Sequence, residues 1–252
     1  RGYRKLYGTT QLKETLAAGM LFLTFWRPER PFLDPFCGTG TIPIEAALMG
    51  GNIAPGLGRS FAAEDWPTLE PRLWAEAREE AREAATPRPS LHIVGSDIDE
   101  DALGLARYHA RQAGVSGAIR FEQRDFNDLR CDREYGCLIA NPPYGDRTHD
   151  REKVQDLYRG VPDVLRRFPT WSHYILTSHP DFEQLIGQEA DRRRKLYNGK
   201  IACTYFQFHG PHPAETKAPG STVEPAFGGL SEKALTQAEL FRNRLKKRAR
   251  HL

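Results

Sequence analysis

Long apolar runs are missing from this 252-residue chain. No stretch approaches the ~18 uninterrupted apolar residues of a membrane-crossing helix, so none is expected. Residues 1–19 lack the apolar core of a signal peptide and carry Arg4, Lys5, Lys13 and Glu14, which argues against a secretory leader. Cysteine is sparse, and Cys37, Cys131, Cys137 and Cys203 form no Cys-x-x-Cys pair. A zinc ribbon or a disulfide framework is therefore not expected; free thiols in a reducing cytoplasm are. No His, Cys and carboxylate cluster has ligand spacing, so no metal is expected. The chain opens on Arg rather than Met, which leads us to expect a trimmed protein or one domain of a longer one.

An excess of one charge is also missing: 36 Lys and Arg against 33 Asp and Glu leave +3. The distribution says more than the sum. Arg192, Arg193, Arg194 and Lys195 form one basic run; Arg242, Arg244, Lys246, Lys247, Arg248 and Arg250 form another. Such runs suit a polyanionic partner, although each alone also fits a solvated surface. With 39% hydrophobic and 27% charged residues, the balance is that of a globular protein large enough for a substantial core.

Strand-like and helix-like segments alternate. Residues 1–25 read as a loop and an amphipathic helix with Leu12, Leu16, Met20 and Leu23 as its stripe. A strand is expected at 32–36 and a helix at 41–49, with Ile44, Ala47 and Leu48 on one face. Then come an irregular stretch, a surface helix at 69–85, a strand at 91–96, a helix at 100–113 and strands at 119–124 and 136–140. A helix at 151–168, kinked near Pro162, precedes a strand at 173–177 and a helix at 182–190. Two strand-like runs, 194–197 and 201–208, flank Asn198-Gly199, a strong hairpin signal. The pattern predicts an α/β, doubly wound, Rossmann-like sheet, mostly parallel, closed by an antiparallel hairpin strand. From residue 211 the composition turns to Pro, Gly, Ser and Thr, which reads as a linker before a terminal helix at 234–245.

The first strand runs into Asp34-Pro35-Phe36-Cys37-Gly38-Thr39-Gly40-Thr41. The Lys-Ser/Thr of a phosphate-binding loop is absent, and Pro43 stands where a dinucleotide fold wants its third glycine. Gly38 and Gly40 then serve the close approach of some other ligand, and Asp34 is placed to accept from an amine or cation. Three carboxylates follow three successive strands: Asp34, Asp97 and Asp125. In a doubly wound sheet, a carboxylate after the second strand reaches a ribose diol. That assigns Asp97 to the ribose, Ile98 to an apolar wall beside a base, Asp99 to a helix cap, and Asp125 with the Phe126 amide to the base edge.

Asn141-Pro142-Pro143-Tyr144 follows the fourth strand and is more specific. Adjacent prolines stiffen the backbone. The Asn141 side-chain oxygen and the Pro142 carbonyl can then accept both protons of one planar NH₂, while Tyr144 stacks on the ring that carries it. Exocyclic amines on adenine or guanine and the glutamine amide all fit this arrangement. Cytosine C5 chemistry would need an activated cysteine in the site, and none is so placed.

Together these motifs resemble the class I S-adenosylmethionine-dependent amino-group methyltransferases. Arg1-Gly2-Tyr3-Arg4, Leu12-Lys13-Glu14-Thr15-Leu16-Ala17-Ala18, Ile53-Ala54-Pro55-Gly56-Leu57 with Arg59-Ser60-Phe61, and Lys195-Leu196-Tyr197-Asn198-Gly199 extend the likeness. They resemble the catalytic domain of the bacterial THUMP-associated 23S ribosomal RNA guanine-N2 methyltransferases. The resemblance implies S-adenosylmethionine as cofactor, held by Asp34, Phe36, Gly38, Gly40, Asp97, Ile98, Asp125, Phe126 and Asn141. It assigns catalysis to Asn141, Pro142 and Tyr144. It implies a segment 1–30 packing near the cofactor, a methyltransferase domain at 31–210, and a linker with a basic tail at 211–252. Ribosomal RNA is the implied partner, and the family's upstream RNA-binding THUMP region lies outside these residues. The alternatives are an adenine-N6 methyltransferase of DNA or RNA, a protein glutamine methyltransferase, and a non-catalytic nucleic-acid-binding or assembly protein.

Overall fold

The computed structural model describes residues 2–4, 12–86, 91–144 and 151–211. In chain order the elements are α1 (Glu14–Phe22), β1 (Phe32–Asp34), α2 (Thr41–Gly50), α3 (Pro71–Glu83), β2 (Ile93–Asp97), α4 (Glu100–Gln112) and β3 (Ile119–Gln123). They continue with β4 (Cys137–Ala140), α5 (Arg151–Leu165), β5 (Ser172–Thr177), α6 (Phe182–Ile186), β6 (Arg192–Asn198) and β7 (Ile201–Phe208). The expected linker and the helix at 234–245 lie outside the described residues.

The seven strands form one sheet in the order β3-β2-β1-β4-β5-β7-β6. All neighbours are parallel except β7, which runs antiparallel to β5 and to β6. This is the mostly parallel sheet with a closing hairpin that the alternation predicts. The order reverses between β1 and β4, and ligands of such sheets bind where the order reverses, at the carboxyl ends.

Side-chain alternation splits the core in two. Phe32, Ile93, Ile139, Tyr174 and Tyr205 pack under α1, α2 and α4, while Leu33, Leu138, Ile175 and Phe206 pack under α5 and α6. The central strands β4 and β5 are buried at every position, as expected of strands covered on both faces.

Four local expectations need correction. The first helix is shorter than expected, and its buried residues are Ala17, Ala18, Met20 and Leu21, while Leu23 lies beyond its end. Because Glu14–Phe22 is apolar almost all round, spacing alone could not choose the inward face. Helix α2 is likewise buried nearly all round, beyond the single face expected, because α1 covers the side turned away from the sheet. Helix α6 ends at Ile186, short of 190, because Gly187 takes a left-handed conformation (φ 68°) and closes it. Strand β6 starts at Arg192, two residues early, and its turn is centred on Gly199-Lys200, since Asn198 still pairs with Ile201. Gly199 alone of these has positive φ (65°).

His173, on β5, is fully buried. Burial pushes its pKa down to about 3, only partly offset by the Phe168 backbone. Between that value and the usual 6.5 the unfolded chain takes up a proton that the folded chain refuses. Stability is therefore lost as pH falls below about 6.5, at up to roughly 1.4 kcal/mol per unit from this group. The expected result is a steeper loss of melting temperature between about pH 6.5 and 5 in the native chain than in His173→Gln. Parallel curves would show that His173 titrates normally.

Candidate functional site

The carboxyl ends of β1, β2 and β4 open on one edge of the sheet, in register through Leu33↔Val94 and Leu33↔Leu138. At the end of β1, Asp34 is 1% exposed. Its Oδ1 accepts from the Phe36 amide at 3.2 Å, whereas its Oδ2 is buried with no partner among the described residues. Burial raises the Asp34 pKa well above the usual carboxylate value, and the neighbouring Asp97 charge adds to the shift. A buried acceptor without a donor is costly, and a ligand ammonium would supply both the donor and the opposite charge.

The glycine turn is held from three sides. The Gly38 amide donates to Asp97 Oδ2 at 2.8 Å, and the Cys37 amide donates to the Ser96 carbonyl at 3.0 Å. From α4, His109 places Nδ1 3.2 Å from the Thr39 carbonyl. From the N-terminal segment, Arg4 donates to the Leu12 carbonyl at 2.7 Å and to the hydroxyl of Thr41, the first residue of α2, at 3.0 Å. Tyr3 donates to buried Glu45 at 2.9 Å. The two glycines differ. Gly38 (φ 50°) has open space where a Cβ would stand, as a ligand cradle requires. At Gly40 (φ 83°) a Cβ would lie 2.9 Å from Ala106 and 3.1 Å from Phe121. Gly40 thus serves the packing of the turn on α4 and β3, and its missing side chain does not make room for a ligand, contrary to the sequence-based expectation.

Asp97 is half-buried, with Oδ1 accepting from the Asp99 amide at 3.1 Å. It has no ion pair among the described residues, and each oxygen keeps acceptor capacity. Asp99 caps α4, accepting from Asp101 and Ala102. Ile98 is 68% exposed at the same edge, an apolar side chain without a protein partner to cover it. Asp125 caps the turn at Phe126–Asp128 through the Asn127 amide at 2.8 Å. Its neighbour Phe126 is buried, with its ring 4.9 Å from that of Phe36.

Asn141 and Tyr144 are half-buried, Pro142 is buried and Pro143 is exposed. The Tyr144 hydroxyl donates to Asn141 Oδ1, so one lone pair of the expected acceptor is engaged within the loop. Cys203 and Asn198 of the β6–β7 hairpin border the same hydroxyl. Burial, with the Cys203 thiol adding to it, raises the Tyr144 pKa and keeps the phenol a neutral donor. The expectation of a ring open for stacking is modified: half-buried Tyr144 packs against the core cluster on the α1 side of the sheet.

Behind this loop stands a set of residues that the sequence did not reveal. Tyr158 of α5, fully buried, donates to the Pro143 carbonyl at 2.9 Å and lies 2.8 Å from the Thr177 hydroxyl. Thr177 accepts from the His179 amide at 3.0 Å. A single proton on Tyr158 committed to Pro143 makes Thr177 the donor to Tyr158. The order of donation is then His179 N–H, Thr177 O–H, Tyr158 O–H, Pro143 C=O, a chain whose members polarise one another. Burial pushes the Tyr158 pKa up to about 12, so it remains protonated. Spacing with Val154, Val161 and Leu165 reads only as a core stripe, and no signal separates Tyr158 from it.

Neither Cys37 nor Cys137 is an activated thiol. Burial drives the Cys37 pKa well up and that of Cys137 up to about 12. Among the described residues no group of three or more His, Cys, Asp or Glu could hold a metal ion, and no helix is long and apolar enough to cross a membrane.

Residues 1–207 match the family model described as the RMKL-like methyltransferase domain. YpsC of Bacillus subtilis, provisionally named an RNA methyltransferase, is 44% identical over 208 residues, covering 82% of this chain and 54% of that one. The Shewanella baltica ribosomal RNA large subunit methyltransferase K/L is 37% identical over 258 residues, covering the whole of this chain and 36% of its own length. The chain therefore spans about a third to a half of these relatives. Among solved structures, SMU.472 complexed with SAH superposes with a TM-score of 0.79 at 41% identity, covering 84% of this chain and 55% of that one. The orphaned Asp34 oxygen and the open cradle at Gly38 fit the amino-acid end of such a cofactor. On its sequence, its sheet and its glycine turn, the chain belongs to the RMKL-like family of class I S-adenosylmethionine-dependent methyltransferases.

Proposed function

We propose that the protein methylates an exocyclic amine of an RNA base, and that this amine is N2 of guanine in 23S ribosomal RNA. The observation that carries the reading is the loop Asn141-Pro142-Pro143-Tyr144, anchored by Tyr158 at the sheet edge that also bears Asp34 and Asp97. The name of the Shewanella relative favours ribosomal RNA. The earlier likeness to the guanine-N2 enzymes favours guanine.

S-adenosylmethionine, when bound, supplies an electrophilic methyl group. Asp34 holds its ammonium, Gly38 admits its amino-acid part, Asp97 accepts from the ribose hydroxyls, and Ile98, Asp125 and Phe126 frame the adenine. Phe36 supports Phe126 from below. Gly40 acts indirectly, by seating the turn on α4. The N-terminal segment 1–30, tied to Thr41 by Arg4, closes over the methionine end. The domain at 31–210 performs the reaction, and the basic tail within 211–252 and an upstream THUMP region assist RNA binding in the cytoplasm.

An exocyclic amine is a poor nucleophile because its lone pair is delocalised into the ring. Asn141 Oδ1 and the Pro142 carbonyl accept its two protons, favour pyramidal nitrogen and stabilise the charge that develops there. No strong base is needed, since the methylated ammonium loses its proton to water. Tyr144 stacks on the target base. The deciding experiment is mass spectrometry of nucleosides from ribosomal RNA incubated with the protein and cofactor. N2-methylguanosine is expected. N6-methyladenosine would assign the adenine reading, methylated glutamine in a protein substrate the third reading, and no product with cofactor bound would assign a non-catalytic role.

Asp34→Asn removes a buried charge and a partner for the ammonium. It is expected to leave the free protein as stable or more stable, yet to weaken cofactor binding on the order of tenfold or more. Because the Asp34 pKa is raised, native affinity should rise with pH as Asp34 ionises, and Asp34→Asn should flatten that rise. Titration calorimetry across pH tests both; equal affinities would end the assignment. Asp97→Ala should also weaken cofactor binding while the fold survives.

Asn141→Ala should lower kcat by roughly 10²–10³ with little change in cofactor affinity. Tyr144→Ala should weaken RNA binding by about 1–3 kcal/mol. Tyr158→Phe keeps the ring but frees the Pro143 carbonyl. It should lower kcat by about tenfold to 10² while KM for RNA and cofactor affinity hold. Single-turnover methyl transfer with parallel binding measurements checks the set, and an unchanged kcat in Tyr158→Phe would reduce that hydroxyl to a structural role.

A further inference from the structure

The sheet divides its carboxyl edge between two halves. On the proposed function, β1, β2 and β3 take the cofactor, so the nucleic acid must reach Asn141 over β5, β7 and β6. Thr177 pairs with Thr204 and Asn198 with Ile201, which brings the tip of the β6–β7 hairpin to this same edge. Asn198 and Cys203 of the hairpin border the Tyr144 hydroxyl. The tip therefore flanks the path of the target nucleotide.

Tyr197 stands at that tip, 57% exposed. Its cross-strand partner is Ala202, too small to cover the ring. The Lys195 ammonium lies 5.5 Å from the ring centroid, on the same side of the strand. Residues 192–208 hold five basic side chains and no acidic one. Arg193 is occupied, with Nε and a terminal nitrogen each 2.7 Å from the Glu183 carboxylate. Of the other cations, Lys195 shares the face of Tyr197, Arg192 and Arg194 lie on the opposite face of the edge strand, and Lys200 stands in the turn. Strand β6 extends roughly 20 Å at ~3.3 Å per residue, enough to follow a few nucleotides.

Charges on an edge strand also prevent sheet-to-sheet aggregation, but that role asks nothing of an exposed aromatic at the tip. An uncovered ring beside a cation is an arrangement on which unpaired bases stack while a phosphate is neutralised alongside. We infer that the β6–β7 hairpin is a platform for single-stranded RNA next to the target nucleotide, with Tyr197 stacking on a flanking base and Lys195 contacting a phosphate. This inference rests on the RNA reading of the site, and it adds a surface outside the catalytic loop.

The test is fluorescence anisotropy of the 252-residue chain with a fluorescein-labelled, mixed-sequence, single-stranded oligoribonucleotide and with the same RNA as a duplex. Tyr197→Ala should weaken single-strand binding about 5- to 150-fold, and Tyr197→Phe should restore it. Lys195→Ala should reduce the salt slope by about 0.7, while Tyr197→Ala leaves the slope unchanged. Duplex RNA should bind more weakly than the single strand. The melting shift on adding cofactor should be the same in all variants, which confirms an intact fold. Native binding by Tyr197→Ala, a Tyr197→Phe as weak as Tyr197→Ala, or no preference for the single strand overturns the platform. Methyl transfer by the native chain is scored separately. A chain that methylates RNA without needing Tyr197 loses the platform alone. A chain that binds through Tyr197 but methylates no RNA loses the proposed reaction alone.

Discussion

A carboxylate that is 1% exposed, with one oxygen lacking a donor, is held at the end of β1 against a substantial desolvation penalty. The surrounding backbone supplies one amide, from Phe36, and stops there. Asp97, drawn close by its bond to the Gly38 amide, raises the penalty further. Two carboxylates crowded at a parallel sheet edge favour a cation between them, and the rest of the cofactor half follows from that demand. The turn must be rigid for the carboxylates to stay in place. His109 from α4 and Arg4 from the N-terminal segment supply that rigidity from outside the loop.

The substrate half is built differently. The acceptors assigned to it in the proposed reaction are backbone and amide oxygens, whose aim depends on dihedral angles and not on charge. Two adjacent prolines fix φ but leave the final peptide free to rotate about ψ. Tyr158 removes that freedom by holding the Pro143 carbonyl, and Thr177 and His179 at the end of β5 orient Tyr158 in turn. The strand next to β4 in the sheet thereby steadies the loop that follows β4. Parallel neighbours end at the same edge, so the geometry that gathers the ligand groups also gathers their supports.

The mostly parallel sheet and its closing hairpin were legible because they depend on patterns that a sequence carries openly: apolar strands alternating with helices, and turn residues between them. That Asp34, Asp97 and Asn141 share one sheet edge was legible for a related reason, since each sits at a strand end and strand ends can be counted. Helix α1 resisted because its near-uniform apolar composition has no inward face until α2 packs against it. Gly40 was read as a ligand glycine when its neighbours are Ala106 and Phe121, elements that become adjacent only in the folded sheet. Tyr158 was illegible for a deeper reason. Its ring belongs to the core and its spacing says so; only the position of a carbonyl fifteen residues away gives its hydroxyl a purpose.

The bond between Tyr144 and Asn141 links the two kinds of order. A neutral hydrogen bond contributes only about 1 kcal/mol net, so an incoming amine that offers two donors can displace it. Until then it satisfies the Asn141 side-chain acceptor. The backbone beneath is anchored by a buried chain of donors with no such competitor. The loop thus combines a fixed frame with an exchangeable side-chain contact. Asn198 and Cys203 belong to the hairpin, so the element that borders Tyr144 is also the one that presents Tyr197 and Lys195 to solvent. By the alternation along β6, Asn198 faces the Tyr144 side of the sheet while Tyr197 and Lys195 face the other, so the two faces meet only at the hairpin tip.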